Sequence, residues 1–229
     1  MNMRLLVALA LLWMAAAGAQ QSVPFANGIP VAPELPVPPV PDEPKIYKTA
    51  EGQDIRVVVV ARGLSHPYSI VFLPDGIMLV SEKDGRIRAI RDGVLDPEPV
   101  PGIPEVLPTR RSGLNDLALH PDFDENGFIY MTYHKPMPDG EPVMALARGR
   151  WDGTGLREVE DLFLTDPGSG DRSRMVFGPD GTIYMSTTGD DPQDPNTHGG
   201  KILRLTDEGG VPGDNPFIGM PGHKPEVFT

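Results

Sequence analysis

Residues 173–191 read "SRMVFGPDGTIYMSTTGDD", and the same phrase stands twice more in the chain. Residues 70–85 read "IVFLPDGIMLVSEKDG" and residues 117–134 read "LALHPDFDENGFIYMTYH". Each is an apolar run, a Pro-Asp turn with a nearby Gly, and a second apolar run. Asp and Pro at turn positions with a following Gly mark a reversal, and short Val/Ile/Tyr-rich runs on either side mark strands. Nowhere between Asp54 and Thr229 does a helical period persist for three turns, which gives an all-β reading.

Working outward from the three phrases, the first unit has predicted strands near Tyr68–Leu73, Ile77–Glu82, Arg86–Arg91 and Glu105–Leu107. The second has Leu114–Leu119, Phe128–Tyr133, Val143–Arg150 and Leu156–Leu164. The third has Arg174–Phe177, Ile183–Thr187, Lys201–Leu205 and Glu226–Thr229. Four antiparallel strands recurring every 45 to 60 residues or so are the arithmetic of a β-propeller blade, so about three blades are written here. A β-sandwich remains the alternative, although it does not require the phrase to recur. The run "DIRVVVVARGL" from Asp54 to Leu64 suits a ring-closing strand.

The rest of the chain sets bounds. Its 229 residues carry a formal net charge of −12, with 26 Gly, 27 Pro and no Cys. That balance argues against nucleic acid, whose binding draws on cations that neutralise phosphate. Zero cysteines exclude disulfides and thiolate metal sites. Residues 1–19 show Arg4, an apolar core from Leu5 and a small-residue site at Ala17-Gly18-Ala19, the pattern of a signal peptide cut before Gln20. The apolar run is shorter than the roughly 20 residues of a spanning helix, so a periplasmic or secreted protein that does not span the membrane is expected. Residues 20–53 are read as a Pro-rich linker, since proline fixes φ and lacks the amide donor. The folded domain is expected over 54–229.

In order along the chain, "RGLSHPYSIVFLPDGIMLVSEKDGRIRAIRDGVL" (62–95), "GLNDLALHPDFDENGFIYMTYH" (113–134), "RMVFGPDGTIYMSTTGD" (174–190), "GGKILRLTDEGGVPGDNPF" (199–217) and "KPEVF" (224–228) resemble the pyrroloquinoline-quinone (PQQ)-dependent sugar dehydrogenases of the glucose/sorbosone dehydrogenase family. The resemblance implies a six-bladed propeller that oxidises an aldose to its lactone and passes electrons to an acceptor. It implies PQQ in a basic pocket, calcium to orient it, and a histidine as general base. On this comparison the chain is the N-terminal half of such a propeller, inactive alone and prone to self-association through open blade edges.

Carried over residue by residue, the family pattern departs at its centre. The histidine position, four residues before Arg174 in "SGDRSRMVF", falls on Gly170, and the nearest proton acceptor in the segment is Asp171. The glutamine position of the cofactor loop falls on Arg111 in "RRSGLND"; an arginine there can pair with a cofactor carboxylate or stand as a solvated loop residue. The family's Gly-His-Arg-Asn anchor has no counterpart in these 229 residues. Independently of family, "DFDENG" (122–127) matches the first half of a calcium loop, but Tyr133 occupies the place of the bidentate Glu. "GDDPQDPNTHGG" (189–200) offers Asp190, Asp191, Asp194 and His198 as ligands, although an acidic solvated loop with two prolines is the simpler reading. His66 and His120 precede prolines, and His134 and His223 are read as loop residues with structural or solvated roles. Two further functions stay open: a non-catalytic propeller that binds a sugar or envelope ligand, and a calcium-dependent lactonase.

Overall fold

The computed structural model describes residues 25–26, 29–30, 41–138 and 140–229. The signal-peptide segment 1–19 and most of the proline-rich stretch lie outside the described residues. Contacts divide the chain into two compact units, Met1–Val58 and Val59–Thr229.

In the first unit β1 (Phe25–Ala26) pairs with β2 (Ile29–Pro30), and β3 (Lys45–Lys48) pairs with β4 (Asp54–Val57), both antiparallel. The second hairpin closes where Thr49 Oγ1 donates to the Gln53 carbonyl at 2.7 Å and Gly52 takes φ +78°. The expected ring-closing strand Asp54–Leu64 is thereby corrected. Its strand residues end at Val57, and they pair with Lys45–Lys48, four residues that the linker reading left without structure. The amides of Lys45–Lys48 carry no proline and are free to form a ladder.

The second unit holds three sheets. The first runs β5 (Pro67–Phe72), β6 (Met78–Glu82), β7 (Arg86–Arg91), β8 (Val94–Leu95); the second runs β9 (Leu114–Leu119), β10 (Phe128–Lys135), β11 (Val143–Trp151), β12 (Leu156–Leu164). The third contains β13 (Met175–Phe177), β14 (Ile183–Ser186) and β15 (Ile202–Leu205). Every neighbour pair is antiparallel and sequential. These are three blades of a β-propeller, as the repeated phrase predicts.

The phrase works because its turn is built the same way twice. At 73–77 the Leu73 amide donates to Ile77 O at 2.8 Å, Asp75 Oδ1 accepts from the Ile77 amide at 3.1 Å, and Gly76 sits at φ +88°. At 178–182 the Gly178 amide donates to Thr182 O at 2.8 Å, Asp180 Oδ1 accepts from the Thr182 amide at 3.1 Å, and Gly181 sits at φ +76°. The middle copy has extra residues, and they form a short helix, α1 (Phe123–Asn126), ended by Gly127 at φ +67°.

Alternation along the strands explains how the blades stack. Ile129, Met131 and Tyr133 of β10 with Ala145 and Ala147 of β11 face Leu79, Ile87 and Ala89 of the first blade. Tyr130, Met144 and Leu146 face Met175, Ile183, Met185 and Leu205 of the third. The middle blade is covered on both faces, and so its central strands β10 and β11 are buried almost throughout. Two outer strands differ from expectation. The fourth strand of the first blade is Val94–Leu95, not Glu105–Leu107. Pro99, Pro101 and Pro104 break the ladder ahead of that segment, and Leu107 instead donates its amide to His134 O at 2.8 Å. Glu226–Thr229 contributes a single paired residue, Val227 opposite Leu203, although the Arg204 amide reaches Glu226 O at 2.8 Å and the Phe228 amide reaches Ile202 O at 2.8 Å.

Candidate functional site

In an antiparallel meander the segment before the first strand, the second connection and the segment after the fourth strand all fall at one end of the blade. Residues 83–85, 109–113, 136–138, 140–142, 165–174 and 187–201 therefore share an end of the second unit. Hydrogen bonds tie them together. The Leu114 amide donates to Lys83 O at 3.1 Å, Arg172 Nε reaches Arg111 O at 3.4 Å, the Asp171 amide donates to Thr188 Oγ1 at 2.8 Å, and Ser169 Oγ lies 3.2 Å from Thr197 Oγ1. Gly189 and Gly199 touch through bare backbone; a Cβ on Gly189 would lie 2.5 Å from Gly199 Cα.

Beneath these loops one arginine joins all three blades. Arg174 Nη1 donates to Asp116 Oδ1 at 3.0 Å, Arg174 Nη2 donates to Tyr68 O at 3.0 Å, and the guanidinium lies 4.3 Å from the centre of the Tyr68 ring. The second Asp116 oxygen accepts the Met175 amide at 2.8 Å. Asp116 is buried, so its charge requires these partners. Both residues stand in the conspicuous phrases "GLNDLALHP" and "RMVFGPDG", yet nothing local pairs them; the junction joins positions 58 residues apart.

Position 170 is a glycine by backbone geometry as well as by sequence. Gly170 has φ +117°, a conformation that L side chains rarely adopt, and a Cβ there would stand 3.1 Å from Met144 Cβ, tighter than ordinary contact. No imidazole fits at this place without rearrangement. Gly170 and the half-buried Asp171 line a pocket of about 250 Å³ with Gly168, Glu141, Pro142 and His134. His134 is not a loop residue. It lies in β10 and is 6% exposed. The signal for it was register, since His134 continues the set Tyr130, Thr132 on the face turned toward the third blade.

Arg111 is exposed, and its carbonyl holds Arg172. Among the described residues neither guanidinium forms an ion pair, nor do Arg110 and Lys83 at the same end, although the chain as a whole is acidic. Cations without ion-pair partners on adjoining loops suit a carboxylate-bearing ligand such as the quinone that the resemblance implies, although Glu141, Asp171, Asp190, Asp191 and Asp194 stand at the same end. The metal fits less well. Among the described residues no group of three or more His, Asp and Glu side chains is placed to hold an ion. Asp190, Asp191 and Asp194 are all exposed; Asp191 Oδ1 accepts the Gln193 amide at 3.2 Å and Asp194 Oδ1 accepts the Asn196 amide at 2.9 Å, as turn formers do. In "DFDENG", Asn126 is engaged by the His120 ring at 2.8 Å and by the Phe128 amide at 2.9 Å. Neither loop offers the convergent oxygen ligands that a calcium ion requires.

His198 turns away from its acidic neighbours in sequence and into the protein. Its Nδ1 accepts the Asp166 amide at 3.0 Å, which leaves the proton on Nε2, 3.3 Å from Glu226 Oε2. Burial pushes the imidazole below its usual range, against the pull of Asp166 and Glu226. Burial opposes ionisation of Asp166 too, but the Lys224 ammonium at 2.7 Å and His198 hold it below the usual carboxylate range. The result is a polar bolt linking 166, 198, 224 and 226.

Comparison with known proteins agrees with this architecture. The chain is 36% identical over 206 residues to an uncharacterized protein, slr1608, of Synechocystis, covering 79% of this chain and 50% of that protein. It is 31% identical over 187 residues to the Aldose sugar dehydrogenase YliI of Escherichia coli, covering 76% of this chain and 50% of the relative. The PQQ-bound Aldose Sugar Dehydrogenase from Streptomyces coelicolor superposes with a TM-score of 0.64 at 28% identity, over 82% of this chain and 54% of that one. The chain thus spans about half the length of the curated relatives it matches. The Glucose / Sorbosone dehydrogenase family profile matches residues 64–229, and the chain belongs to the glucose/sorbosone dehydrogenase family.

Proposed function

We propose that this protein serves in the quinone-dependent oxidation of an aldose to its lactone, outside the cytoplasm, with the loop end of the second unit as the site. The observation that carries the reading is that Lys83, Arg110, Arg111 and Arg172 at that end form no ion pair among the described residues, with Arg172 Nε reaching Arg111 O, in a chain of net charge −12. When bound, pyrroloquinoline quinone would supply the two-electron acceptor chemistry. Arg111 and Arg172 would hold its carboxylates. The signal-peptide pattern at 1–19 supports export, and the exposed apolar faces of the first and third blades support self-association.

Equilibrium binding of the quinone to the purified chain, followed by its absorbance, tests the reading. Binding is expected to weaken with salt and to fall at least tenfold in an Arg111→Ala/Arg172→Ala variant, since each charge-assisted bond contributes about 1.5–3 kcal/mol. Binding that ignores both changes would overturn the assignment. Steady aldose turnover by these 229 residues is expected to be far below that of the relatives, whose length they cover to 50%; dye reduction with added quinone and aldose measures it. The second reading, a propeller that binds sugar without oxidising it, is favoured by Gly170 and its positive φ. Sugar binding with no aldose-dependent quinone reduction would select it.

A further inference from the structure

Oxidising a C–OH group to C=O sheds two things: the C–H electron pair leaves with its hydrogen as hydride, and the hydroxyl releases a proton. If the hydride goes to a quinone, as the proposed function holds, some group at the site must take the proton. Position 170 has no side chain, and its backbone disfavours one. An imidazole nonetheless lines the pocket that Gly170 walls.

We propose that His134 is the proton acceptor of this site, its Nε2 receiving the hydroxyl proton of an aldose bound against Gly170 and Asp171. His134 Nδ1 lies 3.3 Å from the Leu107 carbonyl, which can only accept, so Nδ1 carries the ring hydrogen and Nε2 the lone pair. The ring is held in that orientation from both sides of its own backbone. The His134 amide donates to Gly113 O at 2.9 Å, and His134 O accepts the Leu107 amide at 2.8 Å. Two charged side chains share the pocket: Glu141 from the β10–β11 connection and Asp171 from the β12–β13 connection. Both are acidic, and both stabilise the imidazolium once the proton has moved. The neighbouring Lys135 is already paired with Asp161 and does not compete. In the balanced step the O–H bond breaks, an N–H bond forms on His134, the C–O bond becomes double, and the C–H hydrogen leaves with its electron pair as hydride, for which a bound quinone would supply the two-electron acceptor. The assignment rests on the sugar-oxidation reading, and it differs in strand and position from the place where the sequence pattern puts the base.

Histidine ¹⁵N NMR on the whole chain tests this, with His66, His120, His198 and His223 as internal controls. Saturating aldose, its binding checked separately by calorimetry, is expected to shift the His134 Nε2 signal and leave the four others in place. His134→Gln, which keeps a donor for Leu107 O, is expected to cut aldose-dependent quinone reduction by roughly 10²–10⁴ in single-turnover mixing, with thermal unfolding confirming that it folds. Aldose binding with an unmoved His134 signal and equal rates in the variant would overturn the role of His134 and leave the sugar-oxidation reading standing. A chain that binds no aldose, with or without quinone, would overturn that reading and the role of His134 together.

Discussion

At the scale of the residue, Arg174 and His198 carry more of the structure than their surroundings in sequence suggest. Arg174 is 58% exposed at its side chain, whereas its partner Asp116 is 7% exposed. Removing the guanidinium therefore leaves a buried carboxylate with only the Met175 amide. Breaking a buried pair from one side is strongly destabilising, but solvent reaches Arg174 and screens part of it. Arg174→Ala is expected to cost about 1–2 kcal/mol in denaturant unfolding, and Arg174→Lys to recover only part, because a single ammonium cannot span Asp116 and the Tyr68 carbonyl. His198 makes the stability pH-dependent with a definite sign. Its folded-state pKa is depressed by burial from 6.5, so the unfolded chain binds the extra proton. The contribution is complete above pH 6.5 and is lost as pH falls through the folded value. Unfolding midpoints measured between pH 7.5 and about 5 should fall on acidification, and His198→Gln should flatten the slope. Asp166, held low by Lys224, contributes in a separate window beneath its ordinary 3.8.

At the scale of the element, the connections between blades depend on close backbone approach. Gly113 opens β9, and a Cβ there would lie 1.9 Å from Lys83 O, the acceptor of the Leu114 amide. Gly113→Ala must push the first blade's β6–β7 turn off the second blade, with a cost of about 2–4 kcal/mol and a lower melting temperature. Gly76→Ala meets nothing within 4 Å and strains only its φ of +88°, so its cost should stay near 1 kcal/mol. Equal losses in the two variants would refute the distinction. Most strands could be read from the apolar runs because alternation and turn chemistry are local properties. Val94–Leu95 could not, since a two-residue strand is defined by its partners Ile90 and Arg91 and carries no pattern of its own.

At the scale of the whole molecule, the two outward blade faces stand apart from the buried middle. Ile70, Phe72 and Val94 of the first blade are 46%, 64% and 67% exposed, and Val176 of the third is 61% exposed. Stacked sheets bury such side chains against a neighbour, so these faces are expected to draw in another surface. Sedimentation at increasing concentration should show self-association of the chain, reduced in a Phe72→Glu/Val176→Glu variant. A monomer at all concentrations, with no binding of an apolar dye, would count against it.

The sequence by itself determined the all-β architecture, the three blades and their order, because each follows from turn residues and alternation repeated along the chain, and its ordered phrases carried the resemblance to the family. Arg111 and Asp171 could be named as candidates in the same way, by counting along a motif. Only the tertiary structure decided what Gly170 disfavours, that Arg174 joins Asp116 to Tyr68, that His198 turns inward, and that His134 shares a pocket with Asp171. Those four depend on φ, burial and contacts between residues tens of positions apart. Chain closure sets such contacts, and no window of local sequence contains them.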